Sequence, residues 1–206
     1  MDSFYNDAEL KQIGFKKIGS NVKLSKRASV YMPEKISIGN NVRIDDFCCL
    51  VGGQEGINIG SYVHIAFFCI ILGNGGVTLK DFSGLSSRVA LYSATDDYSG
   101  ASLTNPTIPE EFLNVERGEI VLEKHVIVGT NSTVLPNVTI GEGSSIGAHS
   151  LVTKYLEPWG VYVGSPVKKI NERKKDLLEM EKKLSDQLNG YYDEYEGRYK
   201  YKQLKV

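Results

Sequence analysis

The side chains with the most chemical capacity here are three histidines, three cysteines and the adjacent pair Asp96 and Asp97. A histidine can act as a general base near neutral pH or hold a metal. His64, His125 and His149 lie far apart, and no paired spacing brings three imidazoles to one ion within a single chain. Cys48 and Cys69 hold equivalent places in a local repeat and read as a stacked pair of buried thiols behaving as small hydrophobes. Cys49 is offset by one and has no histidine near it in the sequence, so it makes a poor nucleophile. Asp96 and Asp97 belong to the stretch YSATDDYSGASLTNPTIPEEFLNVERG. Loops longer than about fifteen residues are uncommon unless functional or disordered. A carboxylate in such a loop can aim an amine through a charge-assisted hydrogen bond.

These residues are positioned by a six-residue period. Ile18, Leu24 and Val30 begin it. Ile38, Ile44, Leu50; Ile59, Ile65, Ile71; and Leu79, Leu85, Leu91 continue it. After the long interruption come Leu122, Val128, Val134 and Ile140, Ile146, Val152. Neither the helical spacing of three and four nor plain strand alternation produces six. A short strand and a turn, with one large side chain pointing inward, does. Three such segments close one coil, and coils stack at strand spacing, about 4.8 Å, so six coils make a prism of roughly 29 Å. Four residues beyond the aliphatic position, a small or β-branched residue recurs, as at Val42, Cys48, Val63, Cys69, Val89, Val126, Ser132, Ser144 and Ser150. The class is all-β: a parallel β-helix of about six coils, with a short N-terminal cap and a C-terminal α-helix.

The 206 residues divide into a cap over 1–17, a β-helix over 18–165 with a long loop at 92–118, and a C-terminal helix and tail over 166–206. The cap reads as a helix from Asp7 to Ile13, ended by Gly14. Phe4, Leu10, Ile13 and Phe15 would cover the open first coil, as repeat arrays require. Insertions near Met32–Lys35, Gly52–Gly56, Gly73–Gly76 and 92–118 all follow a third hexad, so all leave from one corner. Apolar residues from Ile170 to Leu188 suggest an amphipathic helix. Tyr191, Tyr192, Tyr195, Tyr199 and Tyr201 enrich the tail without suggesting a function. A net charge of −1 supplies no field for nucleic acid. No apolar run approaches a membrane span or a signal peptide, so the expected location is cytoplasmic.

The segments IGNNVR, IGSYVH, VGTNST, IGEGSS and IGAHSL resemble the hexapeptide repeats of the left-handed β-helix acyltransferases, and VYVGSPVKKINER resembles their exit from the helix. The resemblance spans residues 18–152. It alone implies the left-handed coil, which runs against the usual right-handed crossover rule. It also implies a homotrimer and an acyl-CoA co-substrate. Within that family, GNNVRIDDFC, GSYVHIA, SSR, the DDYSG loop with PTIP, and EKHVI look like the sugar-nucleotide N-acyltransferases of dTDP-anthrose biosynthesis. Those act on the 4-amino group of a dTDP-linked 4-amino-4,6-dideoxyglucose.

The resemblance implies residue roles. Family members that acylate sugar hydroxyls carry a His base in the long loop; here Asp96 stands at that place. A hydroxyl needs a poised base, whereas an amine whose conjugate acid titrates near about 8 is already partly neutral at pH 7. The departure therefore favours N-acylation. Ser86 and Asp96 fall on the active-site serine and aspartate of those N-acyltransferases, and His64, one coil before Ser86, would face the sugar or thioester. Asp97, Arg88, Arg43 and Phe67, with Phe47, are candidates for the sugar nucleotide. Gly129, Thr130, Gly147 and Ala148 would line a pantetheine groove between subunits, with Lys154, Lys168 and Lys169 meeting phosphates as point charges. No metal is implied. Two alternatives remain beside this reading: a galactoside or polysaccharide O-acetyltransferase, and a noncatalytic or carbonic anhydrase-like metal protein on the same fold.

Overall fold

Each hexad becomes two or three residues of strand followed by a turn, with the aliphatic residue at the end of the strand, or at its centre in strands such as Cys49–Val51 and Ala90–Tyr92, and pointing inward. The computed structural model describes residues 3–188, 192–193 and 198–199. The strands stack into three parallel sheets, one for each face of a triangular coil. The first face runs through Lys17–Ile18, Ile36–Ile38, Ile57–Ile59, Val77–Leu79, Ile120–Leu122 and Thr139–Ile140. The second runs through Val22–Leu24, Val42–Ile44, His64–Ile65, Gly84–Leu85, Ile127–Val128, Ser145–Ile146 and Gly160–Gly164. The third runs through Ser29–Tyr31, Cys49–Val51, Ile70–Leu72, Ala90–Tyr92, Thr133–Val134 and Leu151–Val152. The chain thus makes six complete coils, and Gly160–Gly164 begins a seventh.

Register follows the hexad: Ile44 pairs with Ile65, Leu85 with Val128, and Leu91 with Ile71 and Val134. The aliphatic columns fill the interior from the second coil onward, and Ile18 and Val30 of the first coil are only half-buried. The cap closes that end. Asn6 and Glu9 form a reciprocal capping box on helix Asp7–Ile13, and Gly14 ends it in the left-handed conformation at φ 87°. Leu10 is buried, with Tyr5, Ile13 and Phe15 packed against the core. Phe4 instead lies under the Arg43 guanidinium, 5.3 Å from its ring centre.

Two corners are turned by residues in the left-handed region, an uncommon conformation for residues other than glycine. One file contains Asn41, Tyr62, Phe82 and His125, and the other Phe47, Phe68, Arg88, Asn131 and His149, with φ between 55° and 63°. Coil stacking brings their side chains face to face. Tyr62 stacks on Phe82 at 4.8 Å and Phe82 on His125 at 5.1 Å; Phe47 stacks on Phe68 at 5.0 Å. His125 is therefore a buried member of a structural stack, and it stands on a different corner from His149.

The third corner, between the third and first faces, emits every insertion, as the spacing suggested. The longest carries a two-stranded ribbon, Ala94–Thr95 with Glu116–Arg117. At the far end, Val167–Glu172 pairs antiparallel to Gly160–Gly164. That pairing takes Ile170 into a strand, exposed, and the helix begins only at Leu177, later than the apolar spacing suggested. The helix Leu177–Leu188 belongs to a second unit that begins at Lys174. Tyr191, Tyr195 and Tyr201 lie outside the described residues.

Cys48 and Cys69 occupy the inward slot on successive coils, but they act as more than apolar filler. The Cys48 thiol donates to the Ala66 carbonyl at 3.0 Å, and the Cys69 thiol to the Ser86 carbonyl at 3.2 Å. Ser132 and Ser144 do the same toward the carbonyls of Gly147 and Glu157. Where the small residue of the hexad carries a thiol or hydroxyl, as at these four positions, it donates to a corner carbonyl of the next coil. The neighbouring Cys48 and burial push the Cys69 thiol up, and burial pushes Cys49 up, so both stay protonated.

Deleting a mid-prism aliphatic side chain leaves a cavity that coils on both sides cannot close. Leu91→Ala should therefore lose about 2–5 kcal/mol in urea denaturation, and Ile18→Ala, at the half-buried first coil, distinctly less.

Candidate active site

The corner between the second and third faces carries the convergent chemistry. The register aligns Ser25, Asp45, Ala66, Ser86, Gly129 and Gly147 in one file, each immediately after a second-face strand. Amides in that file donate one coil further on: Asp45 to Ile65, Ala66 to Leu85, Ser86 to Val128, Gly129 to Ile146 and Gly147 to Tyr162. The next file holds Phe67, Ser87, Thr130 and Ala148. Backbone bonds from Arg88 to Phe67, Asn131 to Ser87 and His149 to Thr130 lock it to the turn file beside it. Where these files meet the second face, His64, Ala66, Gly84, Leu85, Ser86, Ser87, Ile127 and Thr130 enclose an open cleft of about 370 Å³.

Three of the residues picked from the sequence, Ser86, His64 and Thr130, share this cleft. Gly129, Gly147 and Ala148 continue the same corner on the coils beyond. The Ser86 backbone is fixed twice, by its amide on Val128 at 2.9 Å and by the Cys69 thiol on its carbonyl. His64 is fixed by a residue that sequence reasoning missed. Asp45, 3% exposed, accepts from His64 Nε2 at 2.8 Å and from Arg43 Nε at 2.7 Å. With Nε2 held by a carboxylate, Nδ1 is the imidazole atom left to meet a ligand. A carboxylate at a hexad place otherwise taken by Ser, Ala and Gly was the available signal.

Other residues fall elsewhere. Arg43 is committed to Asp45 and Phe4. Arg88 is exposed on its turn, 5.8 Å over the ring of Phe68, and Phe67 is exposed beside it. Asp96 follows the ribbon strand Ala94–Thr95, on an excursion from a different corner than Ser86. Asp97 is engaged by its own loop: it accepts from the Ser99 amide at 2.7 Å and from the Ser102 amide and hydroxyl at 3.0 and 2.9 Å. Lys168 and Lys169 lie on the antiparallel strand after the last coil. Lys169 is paired with Glu172 at 2.6 Å, and Lys154 is exposed after Leu151–Val152. Among the described residues, no group of three or more His, Cys, Asp or Glu is placed to hold a metal ion.

Comparison with known proteins bears on this corner. Residues 119–154 match the family model described as bacterial transferase hexapeptide (six repeats). The chain is 48% identical to a dTDP-4-amino-4,6-dideoxy-D-glucose acyltransferase from Escherichia coli, over 87% of this chain and 93% of that protein. It superposes with TM-score 0.87 and 49% identity on AntD, an N-acyltransferase from Bacillus cereus crystallised with dTDP and 3-hydroxybutyryl-CoA, covering 92% of this chain and 100% of that one. A serine-to-alanine variant of AntD, crystallised with dTDP-4-amino-4,6-dideoxyglucose and coenzyme A, gives the same TM-score and identity over 90% of this chain and 99% of that one.

The loop around Asp97 has its own pH signature. Hydrogen bonds from Ser99 and Ser102 hold the Asp97 carboxyl down at about 2, below its ordinary 3.8. A depressed carboxylate stabilises its surroundings above the unfolded value and loses that contribution as pH falls through the folded one. The Ser102 amide resonance should accordingly titrate with a midpoint near 2. Asp97→Asn, which removes one acceptor oxygen, should accelerate amide exchange at Ser102 at neutral pH.

Proposed function

This chain belongs to the hexapeptide-repeat acyltransferase family, and we propose that it transfers an acyl group from acyl-CoA to the amino group, at C4, of a dTDP-linked amino-dideoxy sugar. The observation that carries the reading is near-full-length similarity to an N-acyltransferase crystallised with dTDP and an acyl-CoA, joined to a cleft that holds Ser86 and His64 at the head of a glycine-rich corner file. The amine nitrogen attacks the thioester carbonyl carbon, the carbon–sulfur bond breaks, and the departing thiolate takes a proton from the nitrogen. Such a reaction requires orientation more than a strong base. Asp96 aims the amine and takes up its charge, and Ser86 holds it from the other side.

A homotrimer is part of this proposal. Asp96 and Ser86 stand on different corners of one chain, so a neighbouring copy must bring its 92–118 loop to the cleft. Pantetheine then runs in the groove between subunits along Gly129, Thr130, Gly147 and Ala148. Lys154 and Lys168 are in reach of its phosphates, with Lys169 contributing once it leaves Glu172. Arg88 and Phe67 serve the nucleotide end. Arg43 acts indirectly, by holding Asp45, and Asp97 by shaping the loop that presents Asp96. A cytoplasmic location is part of the same proposal, supported by its co-substrates. No helix among the described residues is long and apolar enough to cross a membrane. The His64–Asp45 pair is the one observation favouring a hydroxyl acceptor instead, since a held imidazole suits general-base work.

Steady-state kinetics on dTDP-4-amino-4,6-dideoxyglucose separate the two. Asp96→Asn should lower kcat by about 10², Ser86→Ala by less, and the double variant should fall short of the product of the two because both residues hold one amine. EDTA should leave the rate unchanged. Turnover of simple galactosides with none of any amino-sugar nucleotide would select the O-acetyl reading, and a monomer by light scattering would remove the shared site.

A further inference from the structure

One glycine in the cleft is required by nothing in the chain itself. The outward column of the second face reads Lys23, Arg43, His64, Gly84, Ile127, Ser145, Val161, each paired with the next. Every member but Gly84 carries a side chain. A Cβ built at Gly84 would meet only the His64 carbonyl oxygen, at 3.7 Å, an ordinary contact, and no left-handed backbone excludes one. Gly129 and Gly147 differ. A Cβ there would come within 2.6 Å of the Ala148 nitrogen and of Val163 Cγ1 respectively, so backbone packing excludes a side chain at Gly129 and the Val163 side chain crowds the place at Gly147. Glycine inside a strand weakens it, and where no packing reason exists it often marks the approach of a ligand.

The notch left at Gly84 is bounded on one side by Ile127, 43% exposed, and on the other by His64. The imidazole is tethered away by the Asp45 carboxylate at 2.8 Å. Ser86 and Thr130 stand at the corner end, where the acyl-transfer reading puts the thioester. No Lys or Arg lines the cleft, so it is unsuited to a diphosphate. An apolar wall continuing from the thioester suits a short hydrocarbon chain.

We propose that Gly84 sets the length of the acyl group: the chain beyond the thioester lies across this glycine, between Ile127 and the Asp45-held His64. The inference rests on the acyl-transfer reading and names its acyl subsite. A side chain at position 84 would shorten the subsite from below while leaving the pantetheine groove alone.

The test uses the full-length protein and its Gly84→Ala and Gly84→Val variants with acetyl-CoA, butanoyl-CoA and unacylated CoA. Kinetics on dTDP-4-amino-4,6-dideoxyglucose should show the butanoyl-to-acetyl ratio of kcat/KM falling at least about tenfold in Gly84→Ala and further in Gly84→Val, since one methylene commands about 10- to 200-fold in an apolar pocket. Calorimetry should show the same selective loss in affinity for butanoyl-CoA, with CoA affinity as the reference. Parallel loss on both acyl-CoAs, a loss of CoA binding itself, or an unchanged ratio would overturn the proposal. Should Gly84→Val fail to fold by circular dichroism, Gly84→Ala decides alone. Calorimetry needs no acceptor sugar: selective loss there supports the subsite even if no amino sugar is acylated, an outcome that would refute only the N-acyl reading.

Discussion

Everything in this molecule depends on one register: each coil lays its residues directly over the equivalent residues of the coil before. Amide-to-carbonyl bonds link successive coils at strand spacing, about 4.8 Å, so one place in the hexad becomes a line running along the prism. A line of aliphatic residues makes the core. A line of left-handed turn residues makes a corner, and the rings of Tyr62, Phe82 and His125 stack along it. A line of small residues next to the second face makes a groove. Two lines are interrupted by an unlike residue: the small file by Asp45, and the outward column by Gly84.

The interruption at Asp45 is held by its two partners. A buried carboxylate without them would be strongly unfavourable, and one partnered by His64 and Arg43 is tolerable chiefly because both cations or donors approach from the solvent side. The consequence is mechanical. The His64 ring is held toward the preceding coil, on the side away from Gly84. Inside the corner, the Cys69 thiol holds the Ser86 carbonyl inward, so the serine is presented on a backbone that cannot shift without breaking two hydrogen bonds.

On the proposed reading, one chain carries only part of the reaction centre. The cleft with Ser86 lies on one corner, and the loop with Asp96 leaves from another. A triangular prism offers three corners, and a second prism beside the first is the simplest way to join them. The same reading accounts for a carboxylate, Asp96, in that loop. An amine nucleophile asks for aim and charge uptake, which a neighbour's loop can deliver without a relay of bases.

The sequence by itself determined the parts that depend on period. The coils, the inward aliphatic residues, the cap helix with Gly14, the insertions at one corner and the Cys48–Cys69 stack all follow from residue type at fixed spacing, because a repeat forces equivalent residues into equivalent environments. Resemblance of short motifs pointed to Ser86, His64 and Thr130, which meet in one cleft. Only the tertiary structure decided what arises between coils. The grip of Asp45 on His64 and Arg43, the hydrogen bonds made by thiols that had read as plain hydrophobes, and the empty place over Gly84 join residues about twenty apart in the chain, and the hexad alone carries no information on side-chain direction across coils. Ile170 was misread for a different reason: its segment folds back on Gly160–Gly164 as a hairpin, and that cross-strand pairing outweighed the apolar spacing.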